Sequence, residues 1–124
     1  MVDAPVIAIV DDDEGVRASL ASLVRSLGYE VRAYGSGDEF LRESRGDPAC
    51  MIADIQMPLM TGDELQARLI ASGRAFPIIF MTAFPDEKIR SRVLRSGAVG
   101  YISKPFRAQG LIECLDRALE RQLD

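Results

Sequence analysis

Apolar residues along the chain follow two alternating rhythms. Short runs rich in branched residues, beginning with Val6 to Val10, are separated by longer polar stretches in which apolar positions return every three or four residues. After the first run, Val16, Leu20, Leu23, Val24 and Leu27 fall on one face of a helix. Further runs at Glu30 to Tyr34, Cys50 to Ala53, Pro77 to Met81 and Val99 to Ile102 read as strands, and the patterns at Asp86 to Ser96 and Arg107 to Gln122 read as helices. Strands alternating with helical patterns in this way predict repeated βα units.

The punctuation agrees. Gly28, Gly73 and Gly97 each follow a helical pattern, where a glycine at C′ adopts positive φ without strain. Ser36 with Glu39, and Thr61 with Glu64, have the spacing of capping boxes, so helices should begin near Gly37 and Gly62. The third and fourth runs are almost continuously apolar, as strands are when helices cover both faces of a parallel sheet. The expectation is a single doubly wound (βα)5 sandwich of flavodoxin-like type, with five parallel strands in the order 2-1-3-4-5. No linker, low-complexity tract or long repeat divides the chain, so residues 1–124 are expected to form one domain.

Composition narrows the class. With 48% hydrophobic and 27% charged residues, the 124-residue chain can build a core and is unlike a disordered protein. Its only cysteines, Cys50 and Cys114, lie in apolar patterns and read as small buried hydrophobes in a reducing compartment, without the spacing of a zinc site. No apolar stretch approaches the roughly 20 residues a membrane span needs, and the start of the chain lacks the basic flank of a secretion signal. A cytoplasmic protein without membrane association is expected. The net charge of −4 offers nucleic acid no attraction to this domain.

Candidate chemistry clusters where an open parallel sheet binds ligands, beyond the carboxyl ends of its strands. The first strand leads into Asp11, Asp12, Asp13 and Glu14, the third into Asp54, the fourth into Thr82 and the fifth into Ser103 and Lys104. If the first and third strands are neighbours, Asp11, Asp12 and Asp54 converge. At ~5 Å and an effective dielectric near 20, each like-charged pair costs roughly 3 kcal/mol, which invites a cation or raised pKa values. Lys104 cancels only one charge. A hard divalent ion bound through oxygen suits the remainder, and Mg²⁺, which favours phosphate ligands, fits best. With such an ion a carboxylate can attack phosphorus and form an aspartyl phosphate. Asp54 is then the nucleophile, Asp11 and Asp12 hold the ion, and Thr82 and Lys104 meet the phosphoryl oxygens. Asp13 and Glu14 are better read as caps of the first helix.

These residues stand in segments, VDDDEGVRASL, ADIQMPLMTG, FMTAF and GYISKPF, that together resemble the receiver domains of two-component response regulators over essentially the whole chain. Their wording most resembles the FixJ-class receivers of nitrogen-fixation transcriptional activators. The resemblance implies that Asp54 is the phosphorylation site, Asp12 a direct Mg²⁺ ligand, Asp11 a ligand mainly through water, and the Gln56 backbone carbonyl a further ligand. It places Thr82 and Lys104 at the family's switch hydroxyl and crevice lysine, Tyr101 at its rotating switch aromatic, and a cis peptide at Lys104-Pro105. Gln56 and Phe84 fall at two positions that vary in the family and govern the life of the phosphoryl group. Phe84 is expected to screen it from water.

The implied partner is a sensor histidine kinase, since this chain contains no histidine of its own. Phosphorylation is expected to draw Thr82 inward, let Tyr101 follow, and remodel the face built by the fourth helix, fifth strand and fifth helix for homodimerisation or for control of an output domain or separate effector. Ile89, Val93, Val99 and Tyr101 are the candidate apolar contacts there, some of which must face the core. The domain is expected to be a phosphoacceptor and not an enzyme, with at most slow self-dephosphorylation. Two other classes share its features: a phosphorylation-independent interaction module, and a Mg²⁺-dependent phosphohydrolase working through an aspartyl phosphate. A flavin binder fits poorly, because the acidic loop after the first strand would repel a flavin phosphate.

Overall fold

The computed structural model describes residues 4–123, with side-chain surroundings described to residue 120. The single-domain expectation therefore extends, at residues 1–3 and 124, outside the described residues. Ten elements alternate: β1 (Val6–Val10), α1 (Glu14–Ser26), β2 (Glu30–Tyr34), α2 (Gly37–Glu43), β3 (Cys50–Asp54), α3 (Gly62–Ala71), β4 (Ile78–Thr82), α4 (Glu87–Arg95), β5 (Gly100–Ser103) and α5 (Ala108–Leu123). All strand pairs are parallel and the order is β2-β1-β3-β4-β5, as the sequence predicts.

Side-chain alternation sorts the core into two layers. On one face Met51, Ala53 and Phe80 pack with Phe40 of α2, Leu65 and Leu69 of α3 and Val93 of α4. On the other, Ile7, Ile9, Cys50, Ile52, Ile79 and Met81 pack with Leu20 and Val24 of α1 and Leu111, Cys114 and Leu115 of α5. Every residue of β3 and β4 is buried, which explains their unbroken apolar runs. Both cysteines are free and buried, and burial, reinforced by the nearby Cys114, pushes the Cys50 thiol up to about 12.

Helix ends follow the predicted signals with one exception. Gly28, Gly73 and Gly97 have φ of 98°, 77° and 111° and terminate α1, α3 and α4. Thr61 and Glu64 form a complete capping box at α3. At α2, Ser36 Oγ accepts from Glu39 N–H at 3.0 Å, but the Glu39 carboxylate accepts from Gly35 N–H at 2.8 Å, one residue upstream of the predicted partner. Asp13 caps α1 by accepting from Val16 N–H at 3.0 Å. The last three strands end one residue later than the apolar runs, so Asp54, Thr82 and Ser103 close their strands instead of following them. Pairing decides this: Asp54 lies opposite Met81 and Thr82 opposite Ser103. Val93 is wholly buried against the sheet and leaves the set of surface contacts, while Ile89, Val99 and Tyr101 remain partly exposed.

The candidate site at the carboxyl edge of the sheet

Because β1 and β3 are neighbours, the loop after β1 and the end of β3 bring carboxylates together. One oxygen from each of Asp11, Asp12 and Asp54 lies within 4.8 Å of the others. Asp11 and Asp54 are buried and Asp12 is exposed at the mouth. Backbone contacts fix the frame: Asp11 N–H donates to Tyr34 C=O at 3.1 Å, Ile55 N–H to Met81 C=O at 2.9 Å and Lys104 N–H to Thr82 C=O at 2.7 Å. The Lys104-Pro105 peptide is cis, as the resemblance implies.

Lys104 is shared between two carboxylates. Its Nζ donates to Asp11 Oδ2 at 3.0 Å and lies 3.1 Å from Asp54 Oδ1. Burial opposes its charge, but Asp11 and Asp54 more than offset that and raise its pKa. The second Asp11 oxygen accepts from Asp13 N–H at 2.8 Å. Asp54 Oδ1 is different: it is buried and, despite the nearby ammonium, the angles deny it a directed hydrogen bond. Burial first, and then the Asp11 charge, push the Asp54 carboxyl up to about 6 against the pull of Lys104. An all-oxygen donor set with one buried oxygen short of a hydrogen bond is what a hard divalent cation would complete.

Thr82 and Tyr101 are placed at the sequence-predicted edge, but both hydroxyls are engaged elsewhere. Thr82 is fully buried; its hydroxyl donates to Gln56 Oε1 at 2.7 Å and accepts from Phe84 N–H at 3.0 Å. The Tyr101 hydroxyl accepts from Asp86 N–H at 3.2 Å, at the N-cap of α4. Phe84, expected to screen the acceptor, is 72% exposed, and its backbone N–H donates to the Thr82 hydroxyl oxygen.

Three features of the site escape the sequence reading. Arg17, one turn into α1, donates from Nη1 to the Asp11 carbonyl at 2.7 Å and so ties the acidic loop to the helix. Leu59, fully exposed, has φ of 69° and centres a tight turn in which Met60 N–H donates to Pro58 C=O at 2.7 Å. Gly62 donates its N–H to Ile55 C=O at 2.9 Å, and a Cβ there would collide with the Asp54 carbonyl oxygen. The Thr-Gly pair at the α3 start is the one signal that could have flagged it.

Known proteins place the fold in context. Residues 7–116 match the response regulator receiver domain family. The chain is 38% identical over 117 residues to Nodulation protein W of Bradyrhizobium diazoefficiens, covering 94% of this chain and 52% of that protein. It is 38% identical over 118 residues to the response regulator protein TodT of Pseudomonas putida, with the same shares covered. The solved structure of FixJ-N superposes with a TM-score of 0.82 at 33% identity, covering 97% of this chain and 96% of that one. This chain thus spans about half the length of the curated relatives named here, which are described as regulators or a nodulation protein and not as enzymes. The chain belongs to the response regulator receiver domain family of two-component systems.

Proposed function

We propose that this receiver accepts a phosphoryl group on Asp54 from a partner sensor histidine kinase. The observation that supports it most directly is Asp54 Oδ1, a buried carboxylate oxygen with raised proton affinity, lacking a directed hydrogen bond and flanked by two carboxylates and one ammonium. An Asp54 oxygen forms a bond to phosphorus as the P–N bond of the donor phosphohistidine breaks; the electron pair stays on the imidazole, which later takes up a proton.

Asp11, Asp12, Asp54 and the Gln56 carbonyl would hold Mg²⁺, which supplies neutralisation of the charge on the equatorial oxygens. Lys104, already poised between Asp11 and Asp54, offers a point charge to a phosphoryl oxygen, and Thr82 offers a hydroxyl. Drawing the Thr82 hydroxyl toward the phosphoryl group disturbs Phe84 N–H and so the loop that leads to α4. The Tyr101 hydroxyl holds the other end of that loop at Asp86, which links the acceptor to the α4-β5-α5 face. Dimerisation through that face, or signalling to an output domain or separate effector, follows from this linkage. The protein acts as a phosphoacceptor in the cytoplasm, and residues 1–124 work as one receiver unit.

Incubation with acetyl phosphate and Mg²⁺ followed by intact-mass spectrometry tests the reading. One phosphate adduct is expected on the wild type and none on Asp54→Asn, with a phosphodonor-dependent shift in sedimentation only for the wild type. An unmodified wild type would leave a passive interaction module, and rapid repeated consumption of the donor would indicate a phosphohydrolase.

A further inference from the structure

A hydroxyl has a single hydrogen to donate. In Thr82 that hydrogen goes to Gln56 Oε1 at 2.7 Å, while Oγ accepts the Phe84 N–H. With the Gln56 amide reversed, the buried hydroxyl hydrogen would lose this acceptor, so the hydrogen-bond pattern fixes the amide's orientation. A Thr82 hydroxyl bound in this way cannot donate at the same time to a phosphoryl oxygen on Asp54. We infer that the Gln56 side chain is a latch, a positioning residue that holds the Thr82 hydroxyl in the unphosphorylated arrangement and sets how strongly the phosphoryl group must pull to recruit it. The inference rests on the reading above, in which Thr82 meets a phosphoryl oxygen.

The placement favours a releasable bond. Gln56 lies two residues beyond Asp54 on the loop that carries the acceptor, and it is partly exposed, so its carbonyl can turn to water when Thr82 leaves. Thr82, by contrast, is fully buried and must exchange one acceptor for another. Breaking the Gln56 contact thus opposes phosphoryl recognition by about the net strength of one hydrogen bond, an equilibrium factor of about 2- to 10-fold.

The test uses beryllofluoride with Mg²⁺ as a phosphoryl mimic, titrated into the chain and followed by amide NMR at Thr82 and Phe84. Because the mimic is not hydrolysed, any influence of Gln56 on attack by water does not enter. Gln56→Met keeps the length of the side chain and removes the acceptor; it should tighten beryllofluoride binding about 2- to 10-fold. In a Thr82→Val background the same substitution should change affinity little, since the double-mutant cycle cancels any effect that does not pass through the hydroxyl. Unchanged affinity in Gln56→Met, or an equal gain in both backgrounds, would overturn the latch while leaving the receiver reading intact. Failure of the wild type to bind the mimic at all would overturn both.

Discussion

Although Lys104 pairs with it, Asp54 contributes to stability with the opposite sign from a carboxylate whose pKa is lowered on folding. Burial and the Asp11 charge raise it to about 6 from an ordinary value of 3.8, so the folded state holds the proton more tightly than the unfolded chain does. Stability is therefore lost as pH rises between these two values, and the full cost is present above about pH 6. Asp54→Asn, which carries no charge, should be more stable than the wild type at pH 7.5 in metal-free buffer. The expected gain is about 1 to 2 kcal/mol, less than the whole shift because the crevice opens to solvent at Asp12, which screens the charges. Chemical denaturation should show the gap closing as pH falls toward 4, and saturating Mg²⁺ should narrow it at neutral pH by stabilising the wild type. A gap that widened in acid would contradict this electrostatic account. The proximity of the three carboxylates was legible from residue types at strand ends. The proton affinity of Asp54 was legible only as a possibility, because it depends first on how deeply the fold buries the carboxylate and how near it sets Asp11, and then on how Lys104 divides itself between two partners.

At the scale of elements, the junction of β3 with α3 carries the tightest constraint. Gly62 lets the first turn of α3 press on the backbone of the acceptor, and a methyl group there meets the Asp54 carbonyl. Gly62→Ala should cost about 1 to 3 kcal/mol, as overpacking does, and should slow adduct formation by displacing the acceptor. Gly110 is the matched control, since a Cβ at that position in α5 meets nothing within 4 Å. Gly110→Ala should stabilise by about 0.4 to 1 kcal/mol and leave the adduct rate unchanged. Denaturant midpoints and adduct rates for the two variants check both statements. Elements themselves were readable from periodicity and caps because those signals are local. What periodicity missed involves partners distant in sequence or register: the ends of β3, β4 and β5, each carried one residue further by pairing, and the bond between Gln56 and Thr82 across 26 positions. The Glu39 carboxylate shows the same limit at short range, reaching Gly35 because backbone placement at the turn, and not spacing, selects the donor.

For the molecule as a whole, the observed order β2-β1-β3-β4-β5 is the flavodoxin-like one expected of repeated βα units; it sets β1 beside β3 and so brings the acidic loop to Asp54, and the helices divide between two faces to bury strands apolar on both sides. The α3 and α4 layer carries a second polar tie, Gln66 Nε2 donating to Val93 C=O at 3.0 Å, whereas the opposite layer holds two thiols. Cys114 on α5 is 6% exposed and Cys50 on β3 is not exposed at all. Thiol reagents react with the accessible thiolate, so modification requires the α1 and α5 layer to lift. The rate of alkylation in native buffer therefore clocks that opening without any engineered label, with Cys114 expected to react before Cys50. Loading the distant carboxylate crevice with a divalent ion should lengthen both times if binding at the far edge tightens the whole sandwich.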